Sequence, residues 1–196
     1  MIDLDIQGAE SFARIQTILK QVPGGVEKAM RGVISRATSS ARTTTLRGIT
    51  SVYHIESKDV RDRRHSAINA KTRSVQGGVV GQITYSGVKI PLYRFGITPT
   101  KPTQGATVRA RRRRDKPMRV FEKAFIAKMG SGHTGAFERK GKKRLPIGEN
   151  MGMATAQMAA DEDVLEKVEN EAVKETIVKR TEDEISKILN SFGGKL

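Results

Sequence analysis

The run Ile68-Asn69-Ala70-Lys71-Thr72-Arg73-Ser74-Val75, followed after Gln76-Gly77-Gly78 by Val79-Val80-Gly81-Gln82-Ile83-Thr84-Tyr85, decides the fold. Side chains alternate here with a period of two, the mark of a half-buried strand. The first segment reads as a polar strand and Gln76-Gly77-Gly78 as a turn. The second places Val79, Ile83 and Tyr85 on one face. Ser86-Gly87 then reads as a two-residue hairpin turn needing positive φ. Val88, Ile90 and Leu92 carry the pattern on, with Pro91 marking an edge or bulge.

Upstream the period is helical. Phe12, Ile15, Ile18 and Leu19 predict an amphipathic helix over about 9–20, broken by Pro23-Gly24-Gly25. Val26, Met30, Val33, Ala37 and Ala41 predict a longer one over about 25–48, fraying through the β-branched Thr43-Thr44-Thr45. A short third helix is expected over Lys58–Arg64.

Downstream, Pro99–Gly105 reads as a loop and Val108–Arg114 as a strand. Met118–Met129 reads as one apolar strand covered on both faces. Gly130-Ser131-Gly132-His133 turns the chain, Thr134–Arg139 pairs back, and Lys140–Arg144 is a basic turn before Leu145-Pro146-Ile147. A single long helix is expected from Thr155 or Asp161 to Phe192, stopped by Gly193-Gly194. Its stripe is Leu165, Val168, Ala172, Ile177, Thr181, Ile185, Ile188 and Phe192. The fold class that follows is α+β: N-terminal amphipathic helices, a mostly antiparallel sheet over about 68–147 with a basic arm, and a long C-terminal helix.

Composition narrows the function. The 196 residues carry 36 Lys+Arg against 21 Asp+Glu, a net charge of +15. Residues 1–150 hold 30 of the bases and 11 of the acids, while 151–196 hold 6 and 10. A basic body (1–150) and an acidic tail (151–196) therefore meet near Asn150, a polarity suited to head-to-tail association. With no Cys, disulfides, thiolate metal sites and thiol nucleophiles are excluded. Acids at Asp3 and Asp5 argue against a signal peptide, and no window approaches the roughly 18 apolar residues of a membrane span. The chain is expected to be soluble, without a membrane partner.

The chemistry-bearing motifs are few. Gly130–Gly135 matches G-x-G-x-x-G, but the segment after it reads as strand rather than helix, so the match reads as a hairpin turn. His54, His65 and His133 lack partners at metal-ligand spacing, and the acid pairs Glu166/Glu169 and Asp183/Glu184 read as a solvated helix face. No nucleophile elbow is present. No enzyme, cofactor, metal or small-molecule substrate is expected.

The densest charge is Arg109, Arg111, Arg112, Arg113, Arg114, Lys116 and Arg119. A buried strand face cannot hold guanidinium rows unpaired, so Arg112–Arg114 are expected to project into solvent as an arm. With Lys140, Lys142 and Lys143 they form a candidate surface for phosphates or an acidic protein neighbour, the bland alternative being a solubilising loop tip. Stacking aromatics are absent around the run, which disfavours base readout. Leu165, Val168, Ile177, Ile185 and Ile188 either close the sheet in the same chain or meet an adjacent copy as an oligomer interface.

The segments Phe125-Ile126-Ala127-Lys128-Met129, Ser131-Gly132-His133-Thr134-Gly135-Ala136-Phe137-Glu138-Arg139 and Arg144-Leu145-Pro146-Ile147 resemble the prophage minor tail protein Z family of long-tailed phages. The order of helices, basic sheet and C-terminal helix is similar too. After Leu145-Pro146-Ile147 the chain departs from the family's Gly-Pro-Ser-like turn with Asn150-Met151-Gly152-Met153. The resemblance implies a virion structural protein, a tail completion subunit at the head-proximal end of the tail. It also implies a homo-oligomeric ring of six, lying between the tail terminator, tail tube or tape measure protein and the head–tail connector, near the duplex DNA end. The alternative from a different class is a free basic module that binds nucleic acid without sequence preference.

Overall fold

In the computed structural model the described residues are 2–6, 9–75, 78–168 and 173–193. The elements in chain order are β1 (Ile2–Ile6), α1 (Ala9–Leu19), α2 (Gly25–Val52), α3 (Ser57–Val60), β2 (Ser66–Val75), β3 (Gly78–Gly87), β4 (Lys89–Pro91), a 3-10 turn (Leu92–Arg94), β5 (Gly96–Thr98), β6 (Val108–Arg111), β7 (Arg119–Phe121), β8 (Ala124–Lys128), β9 (Thr134–Arg139), β10 (Ile147–Glu149), β11 (Met151–Ala154), α4 (Thr155–Ala159), α5 (Glu162–Lys167) and α6 (Glu175–Gly193). The class is α+β, with N-terminal helices, antiparallel sheets and a long C-terminal helix, as the sequence predicts. None of the described helices is long and apolar enough to cross a membrane.

The chain forms two compact units that interleave in sequence. The first comprises Met1–Thr45, Ile68–Tyr85 and Glu162–Leu196, and the second Leu46–Ala67 and Ser86–Asp161. The charge boundary near Asn150 falls inside the second unit.

In the first unit a three-stranded sheet has the order β1-β3-β2. Ile2, Leu4 and Ile6 stand opposite Tyr85, Ile83 and Gly81, the buried positions of β3. Helix α2 lies on that face. A Cβ on Gly81 would sit 2.1 Å from Thr38 Oγ1 and 2.9 Å from Ile34 Cγ2, so glycine sets the approach of helix to strand. Val33, Ile34, Ala37 and Ala41 are fully buried at helical spacing. Helix α6 packs on α2 as well: a Cβ on Gly32 would meet the Glu184 side chain at 2.8 Å, and Thr176 donates to Ser40 Oγ at 3.3 Å.

Helix α2 runs to Val52 without fraying through its threonines. Thr38, Thr43, Thr45 and Thr50 each return their hydroxyl to the carbonyl four residues back at 2.7–3.1 Å, which satisfies the buried hydroxyls inside the helix. Thr45 also shares a 2.6 Å hydrogen bond with the Tyr85 hydroxyl, and both residues are buried.

The second unit contains the sheets β10-β9-β8, β5-β6-β7 and β11-β4. Leu92, Ile97, Val108, Ala110, Ala124, Ile126 and Ala136 form its core, with Tyr93 and Phe121 against them. Tyr53-His54-Ile55 is laid between two strand continuations, bridging Arg113 on one side and Phe95 on the other.

Several sequence expectations are corrected. Ser86-Gly87 makes no hairpin, because β4 pairs with β11. Gly87 is needed for another reason: at φ 142° a Cβ would lie 2.1 Å from the His65 carbonyl oxygen. Met118–Met129 is not one strand; Glu122-Lys123 turns it, so that β7 joins β6 while β8 joins β9. The third helix spans only Ser57–Val60. Of the two expected starts of the C-terminal helix the structure takes the later: residues 151–154 form β11, Thr155–Ala159 form the short helix α4, which ends at Ala160-Asp161, and α5 begins at Glu162. Strand β1 went unread, although Ile2-Asp3-Leu4-Asp5-Ile6 alternates with a period of two. Gln76-Gly77, Glu169, Ala172 and Gly194 lie outside the described residues.

Candidate basic surface

Strand β6 alternates Val108 and Ala110 inward with Arg109 outward, and its register sets Arg109 between Thr98 and Val120. Arg109 and Arg119 are exposed, and Lys116 is exposed beside Asp115 at 3.7 Å. Past Arg111 the run changes character. The His54 amide donates to the Arg112 carbonyl at 2.7 Å, and the Gly96 amide donates to the His54 carbonyl at 3.0 Å. Arg114 donates its amide to the Val52 carbonyl at 2.9 Å and its Nε to the Thr50 carbonyl at 3.1 Å. A cation therefore caps the last turn of α2, where carbonyls have no partner in the helix and the dipole is negative.

Arg113 is held most firmly. Its guanidinium lies 5.6 Å from the Tyr53 ring centroid, donates to Asp115 Oδ1 at 2.9 Å and pairs with Asp161. Tyr53 donates its hydroxyl to the same Asp161 oxygen at 2.7 Å. Burial, together with the neighbouring Asp161 carboxylate, pushes the Tyr53 phenol up to about 12. The Arg113 hydrogen bond holds the Asp115 carboxyl below the usual carboxylate range. Arg111, Arg112 and Arg113 are half-buried, so the expected solvent arm is corrected: only Arg114 of Arg112–Arg114 is exposed, and its backbone is docked. Arg113 tolerates partial burial because Tyr53 and Asp161, both remote in sequence, partner it.

The other basic group is where sequence placed it. Strand β9 pairs with β8 and β10, and the turn between β9 and β10 carries Lys140, Lys142 and Lys143, all exposed. The turn is braced: Arg139 donates to the Arg144 carbonyl at 2.8 Å and lies 5.1 Å from the Phe125 ring centroid, and the Lys140 amide donates to the Pro146 carbonyl at 3.0 Å. An open cleft of about 830 Å³ beside it is lined by Lys123, Lys140, Lys142, Glu138, Glu149 and Asn150, among others. Lys123 was not foreseen; it joins this group because Ala124, the next residue, pairs with Glu138. Across the sheet, His133 Nε2 and Glu149 Oε1 are 2.8 Å apart.

Gly130–Gly135 forms the β8–β9 turn, closed by the Met129 amide on the His133 carbonyl at 2.8 Å with Gly132 at φ 83°; strand rather than helix follows it, so it cradles no pyrophosphate. Among the described residues, no group of three His, Cys, Asp or Glu side chains is placed to hold a metal. The candidate stripe follows the same-chain alternative: Val168, Ile177, Ile185 and Ile188 are buried and Leu165 is half-buried, which leaves Val178, Leu189 and Phe192 as the exposed large apolar residues of α6.

Comparison of the chain with protein-family models, with curated proteins and with solved structures finds no match.

Proposed function

We propose that this chain is a structural subunit of a long-tailed phage particle, a tail completion protein that assembles as a ring at the head-proximal end of the tail. There it would join the tail terminator or tube to the head connector, near the DNA end. The observation that carries the reading is the behaviour of the segment that resembles the tail protein Z family. Phe125–Ile147 lies within one continuous meander, β8-β9-β10, held in register by eight residue pairs between Ala124 and Glu149. The motif is thus a single structural unit rather than scattered identities. It presents Lys140, Lys142 and Lys143 on a braced turn, an arrangement that suits an acidic protein face or duplex phosphates.

Quantitative mass spectrometry of purified particles, beside light scattering of the free protein, tests this. The reading expects the chain in particles at low copy number and in solution as an assembly. A monomer that is absent from particles, yet shifts any duplex in a gel, would favour the free nucleic-acid-binding module instead.

A further inference from the structure

We propose that the open cleft beside the β9–β10 turn is a docking site for an extended acidic segment of a partner protein. The inference deepens the reading of the basic surface by naming what covers it, and rests on that reading only for where the partner is found.

The hollow follows from the register of the β8-β9-β10 sheet. Gly148 stands opposite Glu138 and adds no side chain to the face they share. A Cβ there would come within 3.1 Å of Lys140 Cε, so the glycine leaves room for the Lys140 stem to lie along the strand. The resulting cleft, about 830 Å³, has the size of a ligand site rather than of a surface dimple.

Several polar groups in its lining await partners. Lys123, Lys140 and Lys142 are exposed, and among the described residues none of them has an ion-pair partner. Glu138 is half-buried and likewise unpaired. Asn150 uses its backbone on both sides, donating its amide to the Ala136 carbonyl and accepting from the Leu92 amide, yet its buried side-chain Nδ2 has no hydrogen-bond partner. Buried polar groups are normally paired, so an unmet donor in this lining favours a ligand that brings an acceptor.

The mixture of charges selects the occupant. Duplex DNA carries one negative charge per about 1.7 Å of its axis, so its backbone offers no gap in which to pass Glu138 and Glu149. Phosphates also supply acceptors only, whereas Glu138 needs a donor. An extended peptide supplies both. Its alternate side chains stand about 7 Å apart on one side, where acids meet the lysines, while main-chain N–H and C=O groups suit Glu138 and Asn150. The chain's own acidic runs, Glu162-Asp163 and Glu182-Asp183-Glu184, lie in helices α5 and α6 rather than in extended backbone, so the occupant is a different protein.

The test is fluorescence anisotropy on the full chain with three probes: a peptide in which Glu alternates with Val, its Gln-for-Glu counterpart, and a short duplex. The Glu peptide should bind the wild type roughly tenfold or more tightly than the Gln peptide. Lys123→Gln with Lys140→Gln should weaken it by about fivefold or more, whereas Lys143→Gln, on the same turn but outside the lining, should stay within about twofold. Gly148→Val fills the cleft without changing charge and should abolish peptide binding while leaving any duplex binding elsewhere on the +15 chain unchanged. The lysine variants are at exposed positions and keep the test decisive if thermal melts show Gly148→Val misfolded. Equal binding of the two peptides, equal losses in Lys143→Gln and the lining pair, or loss of duplex rather than peptide binding in a folded Gly148→Val overturns the proposal. Self-assembly of the wild type that Gly148→Val abolishes would assign the cleft to a second copy and overturns it too. The tail reading is judged separately by particle composition: peptide binding in the cleft by a protein absent from particles sinks the tail reading alone, whereas a protein found in particles that does not discriminate the peptides sinks the cleft alone.

Discussion

The Tyr53 hydroxyl donates a hydrogen bond to Asp161 Oδ2 at 2.7 Å, joining residues 108 positions apart in the chain. The same oxygen pairs with Arg113, whose guanidinium also lies against the Tyr53 ring. Tyr53 is 1% exposed, and the Asp161 side chain is 16% exposed. One acid, one cation and one phenol thus convert an arginine run that looks like a surface arm into part of the second unit's framework.

Arg113→Ala should lower unfolding stability by about 2–3 kcal/mol, since it leaves a largely buried carboxylate without its cation. Arg119→Ala and Lys142→Ala, both at exposed positions, should stay within about 0.5 kcal/mol of wild type. Urea denaturation of the three variants separates framework from surface. Equal midpoints would contradict the docked run.

Alkaline pH should weaken the fold through Tyr53. Its folded value of about 12 exceeds the ordinary 10, so its contribution is fully present below about pH 10 and is lost as pH rises toward 12. The chain has three tyrosines. Phenolate absorbance should show a step near 12 that disappears in Tyr53→Phe; a Tyr53 step at the ordinary value would contradict the burial described.

Gly81→Ala should destabilise the first unit by about 1–3 kcal/mol, because the added Cβ meets Thr38 Oγ1 at 2.1 Å. The double change Gly81→Ala with Thr38→Ala should recover part of that loss, since it removes the clashing atom. A thermal melt with no recovery would place the strain elsewhere than at the α2–β3 contact.

Replacing Lys140, Lys142 and Lys143 with Ser should leave the melting temperature within a degree or two, as all three are exposed. If the turn meets duplex DNA, the logarithmic salt slope of binding should flatten by about 2–3, each lost phosphate contact contributing about 0.9. An unchanged slope would assign the turn to a protein neighbour.

Periodicity made much of this legible. The apolar spacing of α1 and α2, the alternation of β3 and the glycine turn at Gly130–His133 all read locally, because each is decided by neighbours a few residues away. What escaped was decided at long range. Met118–Met129 has a continuous apolar pattern, yet its halves are claimed by different partners, β6 and β9. Asp161, just past the end of α4, is held by Arg113, 48 residues earlier. Of the candidate site, the turn at Lys140–Lys143 was readable since hairpin turns are polar and exposed; Arg112–Arg114 was misread because its partners Val52, Tyr53 and Asp161 lie in other segments.

The central claim is that this chain is a stoichiometric component of a phage tail. Quantitative mass spectrometry of purified particles, calibrated against a major tail protein, tests it most directly. The account predicts about six copies per particle, the number that the family resemblance implies, retained through density-gradient purification. Absence from particles whose other tail proteins are present at full stoichiometry would contradict it.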